Sequence, residues 1–186
     1  MKKLFCIFLL ILILISCKNS NPIKEIETLT YFTNAKDFQI YSTTNKNGVT
    51  QVIFKSENSK EYSANYQFKI NKGLLDSLIS ISKNANSGSF KFKVPEKMWY
   101  CGYWHIVQIT YENGEKIKFK YPFVNKDNKQ FVPFESIIKQ IKIDSLHATR
   151  LSVGKLDTLY IKQEDLSKKT FKEDYIEIIK IIEKYK

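Results

Sequence analysis

The chain has 186 residues, and its 43% hydrophobic and 14% aromatic content excludes an intrinsically disordered protein. The formal net charge is +11, yet Arg150 is the only arginine among the 30 basic residues. Because the guanidinium fork is the side chain best suited to phosphates and base edges, this lysine-dominated charge argues against a nucleic-acid partner. Anionic lipid headgroups and glycans remain open as partners, since a point charge is enough to attract them.

The first seventeen residues have the pattern of an export signal. Lys2 and Lys3 precede an unbroken apolar run at residues 4–15, which is the order of the positive and apolar regions of a signal peptide. The run has twelve residues, whereas a membrane-spanning helix needs about 20. Residues 14–17 read Leu-Ile-Ser-Cys: an aliphatic residue, a variable one, a small one and a cysteine.

This motif resembles the lipobox of bacterial lipoproteins. The resemblance implies that diacylglycerol is attached to the Cys17 thiol, that the chain is cleaved after Ser16 and that the new amino terminus is acylated. It also implies a lipid anchor on the periplasmic or cell-surface side of a membrane. By analogy, Lys18 favours the outer membrane because it is not an aspartate. An ordinary secretory signal and an uncleaved anchor are the alternatives.

This pattern divides the chain into a signal peptide at residues 1–16, a lipidated tether at residues 17–28 and a single domain at residues 29–186. The stretch after the lipobox cysteine is polar, as in a flexible tether. With Cys6 removed and one cysteine lipidated, Cys101 has no cysteine left with which to form a disulfide.

The domain begins with three predicted strands. Residues 38–40 alternate between apolar and polar, and Asn47-Gly48 marks a turn. Residues 49–54 return as a β-rich run, and residues 62–70 alternate over a long third strand. An Asn-Gly pair suits a tight turn because both residues tolerate a left-handed backbone.

A helix is predicted next, with Asn71 as its N-cap. Phe90, Phe92 and Val94 then alternate with lysines, which predicts a further strand before Pro95. The apolar face of the helix combines residues at helical spacing: Leu74, Leu75, Leu78, Ile79 and Ser82.

The clearest predicted hairpin runs from Trp104 to Tyr121, with Asn113-Gly114 at its turn. A two-residue loop would pair apolar residues with lysines, whereas a three-residue loop pairs apolar residues with each other, as Ile109 with Ile117. The three-residue loop is therefore predicted. We expect the opposite face to be solvated, or alternatively to bind a polyanion, because it carries Lys116, Lys118 and Lys120.

The C-terminal third predicts two helices separated by a strand. Pro133 suits the first turn of a helix, and residues 156–161 are a strand candidate. Thr170 and Glu173 form a predicted capping box at the start of the last helix. The apolar face of the helix at Pro133 consists of Phe134, Ile137, Ile138 and Ile141.

These elements predict an α+β fold, in which an antiparallel sheet carries amphipathic helices on one face. The order strand, Asn-Gly turn, strand and helix occurs at residues 38–81 and again at residues 104–141. The similarity between the two stretches is slight, so duplication and chance convergence both remain open.

The stretch from Trp99 to His105 holds both tryptophans and one of the two histidines. In one interpretation its aromatic residues pack in the core or at the sheet edge. In the other, Trp99, Tyr103 and Trp104 form a binding platform for a sugar or peptide. A site built from Cys101 and His105 is disfavoured, because residues four apart on a strand lie about 13 Å from each other. Alternation predicts that His105 is buried and that Trp104 points to the opposite face.

Other polar groups have structural explanations. His147 lies close to Asp144 and Ser145, but a catalytic triad is assembled from separate segments of a fold. Glu164-Asp165 and Glu173-Asp174 are expected at helix starts, where acidic residues complement the helix dipole. The sequence has no phosphate-binding glycine loop and no metalloprotease or nucleophile-elbow motif. We therefore expect no cofactor, no metal and no catalytic residue.

The functional expectation is a membrane-anchored, non-catalytic binding or envelope-interaction module. Its partners are the membrane, through lipid on Cys17, and a protein, peptide or glycan ligand. A hydrolase acting on envelope or extracellular polymers and an inhibitor or immunity-type lipoprotein are the alternatives. An enzyme would be recognised by convergent carboxylates or a histidine in a cleft.

Overall fold

The structure of the protein is a computed structural model that describes residues 21–32, 35–55, 62–83, 85–86, 88–92, 102–122, 124, 127–144, 149–150 and 153–184. These residues form a seven-stranded antiparallel sheet and three α-helices, which confirms the α+β class. The sheet order is β6-β5-β1-β2-β3-β4-β7. The strands are β1 (Ile23–Phe32), β2 (Ala35–Asn45), β3 (Val49–Lys55), β4 (Tyr62–Lys69), β5 (Tyr103–Tyr111), β6 (Lys116–Tyr121) and β7 (Thr149–Arg150). The helices are α1 (Lys72–Lys83), α2 (Val132–Asp144) and α3 (Val153–Lys184), with a 3-10 turn at Lys129–Phe131.

Strand β1 lies inside the sheet, paired with β2 on one side and β5 on the other. It includes residues 23–28, which the sequence analysis assigned to the tether, so that boundary was wrong. The stretch contains Glu25 and Glu27 and therefore has the polarity of a tether. Ile26 is nevertheless buried, and both carboxylates find partners beneath α3.

The two faces of the sheet carry different helices. One face, called the α1–α2 face, is the larger apolar core, in which Val52 and Val107 pack with residues such as Leu78 of α1 and Phe134 of α2. The other, the α3 face, buries a smaller cluster with Leu159 and Leu166 of α3. The predicted placement of helices on one face thus describes α1 and α2, whereas α3 lies on the opposite face.

Both predicted Asn-Gly turns are present. The Gly48 amide donates to the Asn45 carbonyl over 2.9 Å, and Gly48 has a φ of +77°. The second turn has the predicted three-residue loop, since Ile109 pairs with Ile117 and the Tyr111 amide donates to the Glu115 carbonyl. Side chains alternate across a strand, so the three lysines of β6 lie on the face opposite Ile117, as predicted.

The starts of α1 and α2 follow the prediction, whereas Ile79 of the predicted apolar face of α1 is exposed. The Asn71 side-chain oxygen accepts a hydrogen bond from the Leu74 amide over 2.8 Å, which caps the start of α1. Pro133 is the second residue of α2, where its missing N–H costs nothing. The predicted apolar face of α2 is fully buried.

The strand predicted after α1 is absent from the part of it that the structure describes. Phe90 ends a turn and residues 91–92 have no regular structure, while Val94 lies outside the described residues. The Phe90 ring is buried and stacks on Phe119 at a centroid distance of 4.2 Å. The alternating phenylalanines therefore signal burial rather than a strand.

Helix α3 replaces two predicted features. Residues 156–161 belong to the helix rather than to a strand, because short apolar runs suit either structure. Thr170 is no cap but lies within the helix, where its hydroxyl donates to the Leu166 carbonyl over 2.8 Å. Among the residues that the structure describes, no helix is both long enough and apolar enough to cross a bilayer.

The two turn glycines provide a test of the packing. Both have positive φ, so alanine at either position should lower the free energy of unfolding by about 1 kcal/mol through backbone strain. A Cβ at Gly48 would also lie 3.2 Å from Ile70 and 3.3 Å from Leu75, whereas a Cβ at Gly114 meets nothing within 4 Å. We expect Gly48→Ala to be the more destabilising, by roughly 1 kcal/mol or more, in urea unfolding. Equal losses would contradict the close packing at Gly48.

Candidate functional site

The predicted aromatic platform is only partly within the described residues, because Trp99 and Cys101 lie outside them. Tyr103 is 44% exposed, and its ring contacts Phe32 edge-on. Trp104 is half-buried on the α3 face, with the Lys120 ammonium 5.3 Å from its ring centroid. Adjacent residues of a strand point to opposite faces, so Tyr103 and Trp104 do not meet on one surface.

His105 is buried on the α1–α2 face, as predicted. Its Nδ1 lies 2.9 Å from the Thr30 hydroxyl, and its Nε2 lies 3.7 Å from the Glu135 carboxylate. Burial, and then the negative charge of Glu135, raise the pKa of the neighbouring Tyr121 hydroxyl. This group of polar side chains is enclosed between the sheet and α2, so His105 is a core histidine held by its neighbours.

The other predicted polar groups do not assemble into a site. Ser145 and His147 lie outside the described residues. Both acidic pairs occur in the interior of α3, so their expected position at helix starts was wrong. Glu164 instead accepts a hydrogen bond from Lys168 one turn later, and this bond lowers the pKa of Glu164.

The crossing of α3 over the sheet creates a cleft that the sequence analysis did not identify. Along α3, Gln163 hydrogen-bonds Gln39 of β2, the Phe171 ring contacts Tyr31 of β1, and Glu173 pairs with Lys118 of β6. The helix therefore runs across the strands rather than along them. Three residues at helical spacing, Lys162, Asp165 and Lys169, line a cleft of about 390 Å³ beside it.

The floor of the cleft holds a buried carboxylate. Glu27 is 5% exposed; one of its oxygens accepts from the Tyr41 hydroxyl over 2.7 Å and the other accepts from the Gln108 amide. Within the described ranges Glu27 forms no ion pair. Burial, then the Glu27 charge and hydrogen bond, raise the pKa of Tyr41, which keeps the hydroxyl protonated as a donor.

A second carboxylate, in the wall of the cleft, is neutralised by a lysine. The Lys162 ammonium donates to both oxygens of Glu25, over 2.8 and 2.6 Å. This bidentate contact joins α3 to the start of β1. It also uses one of the four lysines that line the cleft, so Lys162 is not available as a simple positive charge.

The rim carries the remaining charge. Lys24, Lys116 and Lys169 line the cleft from three different elements, and all three are exposed. Across the residues that the structure describes, none of these three lysines forms an ion pair. Asp165 is the one exposed carboxylate among the lining residues, so the mouth has an excess of positive charge.

The predicted lysine stripe of β6 is divided by this arrangement. Lys116 lies at the rim of the cleft, Lys118 pairs with Glu173, and Lys120 lies over the Trp104 ring. Lys116 is exposed, while the other two are half-buried. The stripe is thus on the expected face, but α3 and Trp104 cover part of it.

The chemistry of the cleft is that of ionic and hydrogen-bonded recognition. Among the described residues, no group of histidine, cysteine and acidic side chains could hold a metal ion. Gln108 and Thr110 add an amide and a hydroxyl to the lysines and carboxylates. Comparison of the sequence with models of protein families, and with curated proteins, finds no match.

The buried tyrosine on the floor predicts a response to high pH. The pKa of Tyr41 in the folded chain is above its value of about 10 in the unfolded chain. Its stabilising contribution is therefore complete below about pH 10 and is lost above it, as the unfolded chain ionises first. Above this pH, the stability advantage of the wild type over Tyr41→Phe should fall by about 1.4 kcal/mol per pH unit in urea unfolding. If the free energies of unfolding of the two proteins changed with pH in the same way, the burial of Tyr41 against Glu27 would be contradicted.

Proposed function

We propose that the protein is a lipoprotein anchored through Cys17, whose domain is a non-catalytic binding module for a ligand with an anionic group. The observation that carries the proposal is the set of three unpaired lysines at the rim of the α3 cleft. A carboxylate on a peptide, partner protein or glycan has the complementary charge, as does a phosphate. The lipid anchor itself is proposed from the lipobox at residues 14–17.

The state of the cleft carboxylates supports binding over hydrolysis. A general acid or base must be free to exchange a proton with the substrate. Glu25 is held by both contacts from Lys162, and Glu27 is buried beneath two donors. Asp165 is the remaining carboxylate of the lining, and the two acids that share the cleft with it are already engaged by these hydrogen bonds.

The anchor also agrees with the position of β1. The Pro22 carbonyl accepts a hydrogen bond from the Glu112 amide over 2.9 Å, so Pro22 is held against the β5–β6 turn of the domain. The five residues from Lys18 to Pro22 span at most about 18 Å when fully extended. The proposed tether is therefore much shorter than the sequence pattern predicted. We propose that it holds the domain close to the periplasmic or cell-surface side of a membrane, with the outer membrane favoured.

The anchor is tested by Cys17→Ala, which removes the proposed acceptor of diacylglycerol. We expect the variant to lose incorporation of a fatty-acid analogue and to leave the detergent phase, because the buried methylenes of the acyl chains provide the membrane affinity. Cys101→Ala is the matched control and should keep both properties. Labelling of Cys17→Ala at the wild-type level would overturn the lipoprotein proposal.

The anion site is tested by NMR titration of the mature chain with inorganic phosphate at constant ionic strength. We expect shifts at the amides of Thr110, Gly114 and Lys116. Lys24→Gln/Lys116→Gln/Lys169→Gln should weaken binding about tenfold, since each exposed charge contact contributes several tenths of a kcal/mol.

The control variant changes three exposed lysines that do not line the cleft: Lys69→Gln, Lys72→Gln and Lys129→Gln. It carries the same change in net charge and should bind phosphate like the wild type. An equal loss in both triple variants would show that net charge, rather than the cleft, attracts the anion.

A further inference from the structure

We propose that the anionic group bound in the α3 cleft is the phosphate of a lipid headgroup in the membrane that anchors the protein. This inference rests on the proposed function, because it requires both the lipid on Cys17 and an anion site at the lysine rim. It adds the identity of the ligand and its location relative to the anchor.

The cleft lies at the end of the sheet that is closest to the proposed anchor. Lys24 and Glu25 lie in the first three residues of β1, and Gly114 belongs to the β5–β6 turn. The turn is held to the residue before β1 by the hydrogen bond from the Glu112 amide to the Pro22 carbonyl. The cleft is therefore at the end of the sheet where the proposed tether begins.

The chain between the proposed lipid and the rim of the cleft is short. Lys24 is two residues beyond Pro22, and the stretch from Cys17 to Pro22 spans at most about 18 Å. An anchored domain thus keeps Lys24 within about 25 Å of the lipidated cysteine even when the chain is fully extended. Any bending of this short segment brings the rim closer to the headgroups.

The opposite end of the sheet does not share this position near the tether. The 3-10 turn at Lys129–Phe131 contacts the end of β6, where Phe131 stacks on Tyr121 at a centroid distance of 4.6 Å. β6 begins at Lys116 beside the cleft, so Lys129 lies at the far end of the sheet. The sheet therefore has one end near the tether and one end away from it, and the cleft belongs to the near end.

The affinity that the rim can provide also suits a lipid headgroup. Three exposed lysines are point charges without the bidentate geometry of arginine, so they suit a phosphate but bind it weakly. A weak site is sufficient when its ligand is present at high effective concentration, and a lipid anchor provides this for the headgroups around it. Lysines near an anionic surface also gain about 1 kcal/mol each from its potential.

The test uses the mature chain, residues 17–186, with Cys17→Ser so that no acyl chain contributes to binding. All described secondary structure lies within residues 23–184 and is retained. Binding is measured by flotation with vesicles of phosphatidylcholine, with and without phosphatidylglycerol. We expect binding to the phosphatidylglycerol vesicles at low ionic strength, and about a hundredfold loss in Lys24→Gln/Lys116→Gln/Lys169→Gln.

The matched control is Lys69→Gln/Lys72→Gln/Lys129→Gln, which has the same net charge as the cleft variant. Lys69 pairs with Val49 beside the β2–β3 turn, so Lys69 and Lys72 lie at the same end of the sheet as the cleft but outside it. The control should therefore lose clearly less vesicle binding than the cleft variant. A nitroxide on the lipid headgroup should broaden the amide signals of Lys24, Gly114 and Lys116 and spare those of residues 129–131. Equal losses in the two triple variants, or broadening at residues 129–131 alone, would overturn the inference.

A second titration, with soluble glycerol phosphate, distinguishes the two sources of the anion. Binding of glycerol phosphate at the cleft without vesicle binding would overturn the headgroup inference and leave the anion site of the proposed function standing. Failure of both the soluble phosphate and the vesicles to bind would overturn both proposals. Binding of both, with loss of both in the cleft variant, is the expected result.

Discussion

Strand β1 places a buried carboxylate, Glu27, and a half-buried one, Glu25, beneath α3, and the α3 side of the molecule is arranged around their partners. Glu27 is nearly inaccessible to water and would be costly to bury without donors. Tyr41 and Gln108, from the strands on either side, supply two hydrogen bonds, and Lys162 of α3 neutralises Glu25. The contact of Lys162 with Glu25, together with the hydrogen bond from Gln163 to Gln39, holds α3 across the strands. The cleft is a consequence of that crossing.

The interface between α3 and the sheet is partly polar, and this explains which elements were predictable. The α1–α2 face follows simple alternation and helical spacing, and the β5–β6 register, the cap at Asn71 and the start of α2 were all correctly predicted. On α3 the residues toward the sheet are mixed: Leu159 and Leu166 alternate with the buried Gln163 and Thr170. Hydrophobic periodicity is weak in such a stripe, and the helix was consequently divided into a strand and a shorter helix.

The cleft was not predictable for a related reason. Its lining residues come from the start of β1, the β5–β6 hairpin and the middle of α3, and each segment has ordinary polar composition. Only the angle at which α3 crosses the sheet brings Lys24, Lys116 and Lys169 to one rim. That angle depends on side-chain contacts such as Gln163 to Gln39, which alternation and propensity do not encode. The burial of His105, by contrast, depends only on the parity of its strand.

The pairing of β1 with β5 has a consequence for the order of folding. β1 can form its ladder with β2 through a short connection, but its other ladder joins residues such as Thr30 and His105, which are 75 positions apart in the chain. Closing so long a loop is slow, and until β5 arrives one edge of β1 has unpaired backbone groups. The pairing of β1, the first strand along the described chain, is therefore among the last to be completed during folding. During this interval no neighbouring strand covers that edge. The charges of Lys24, Glu25 and Glu27 along β1 itself then oppose pairing with another chain.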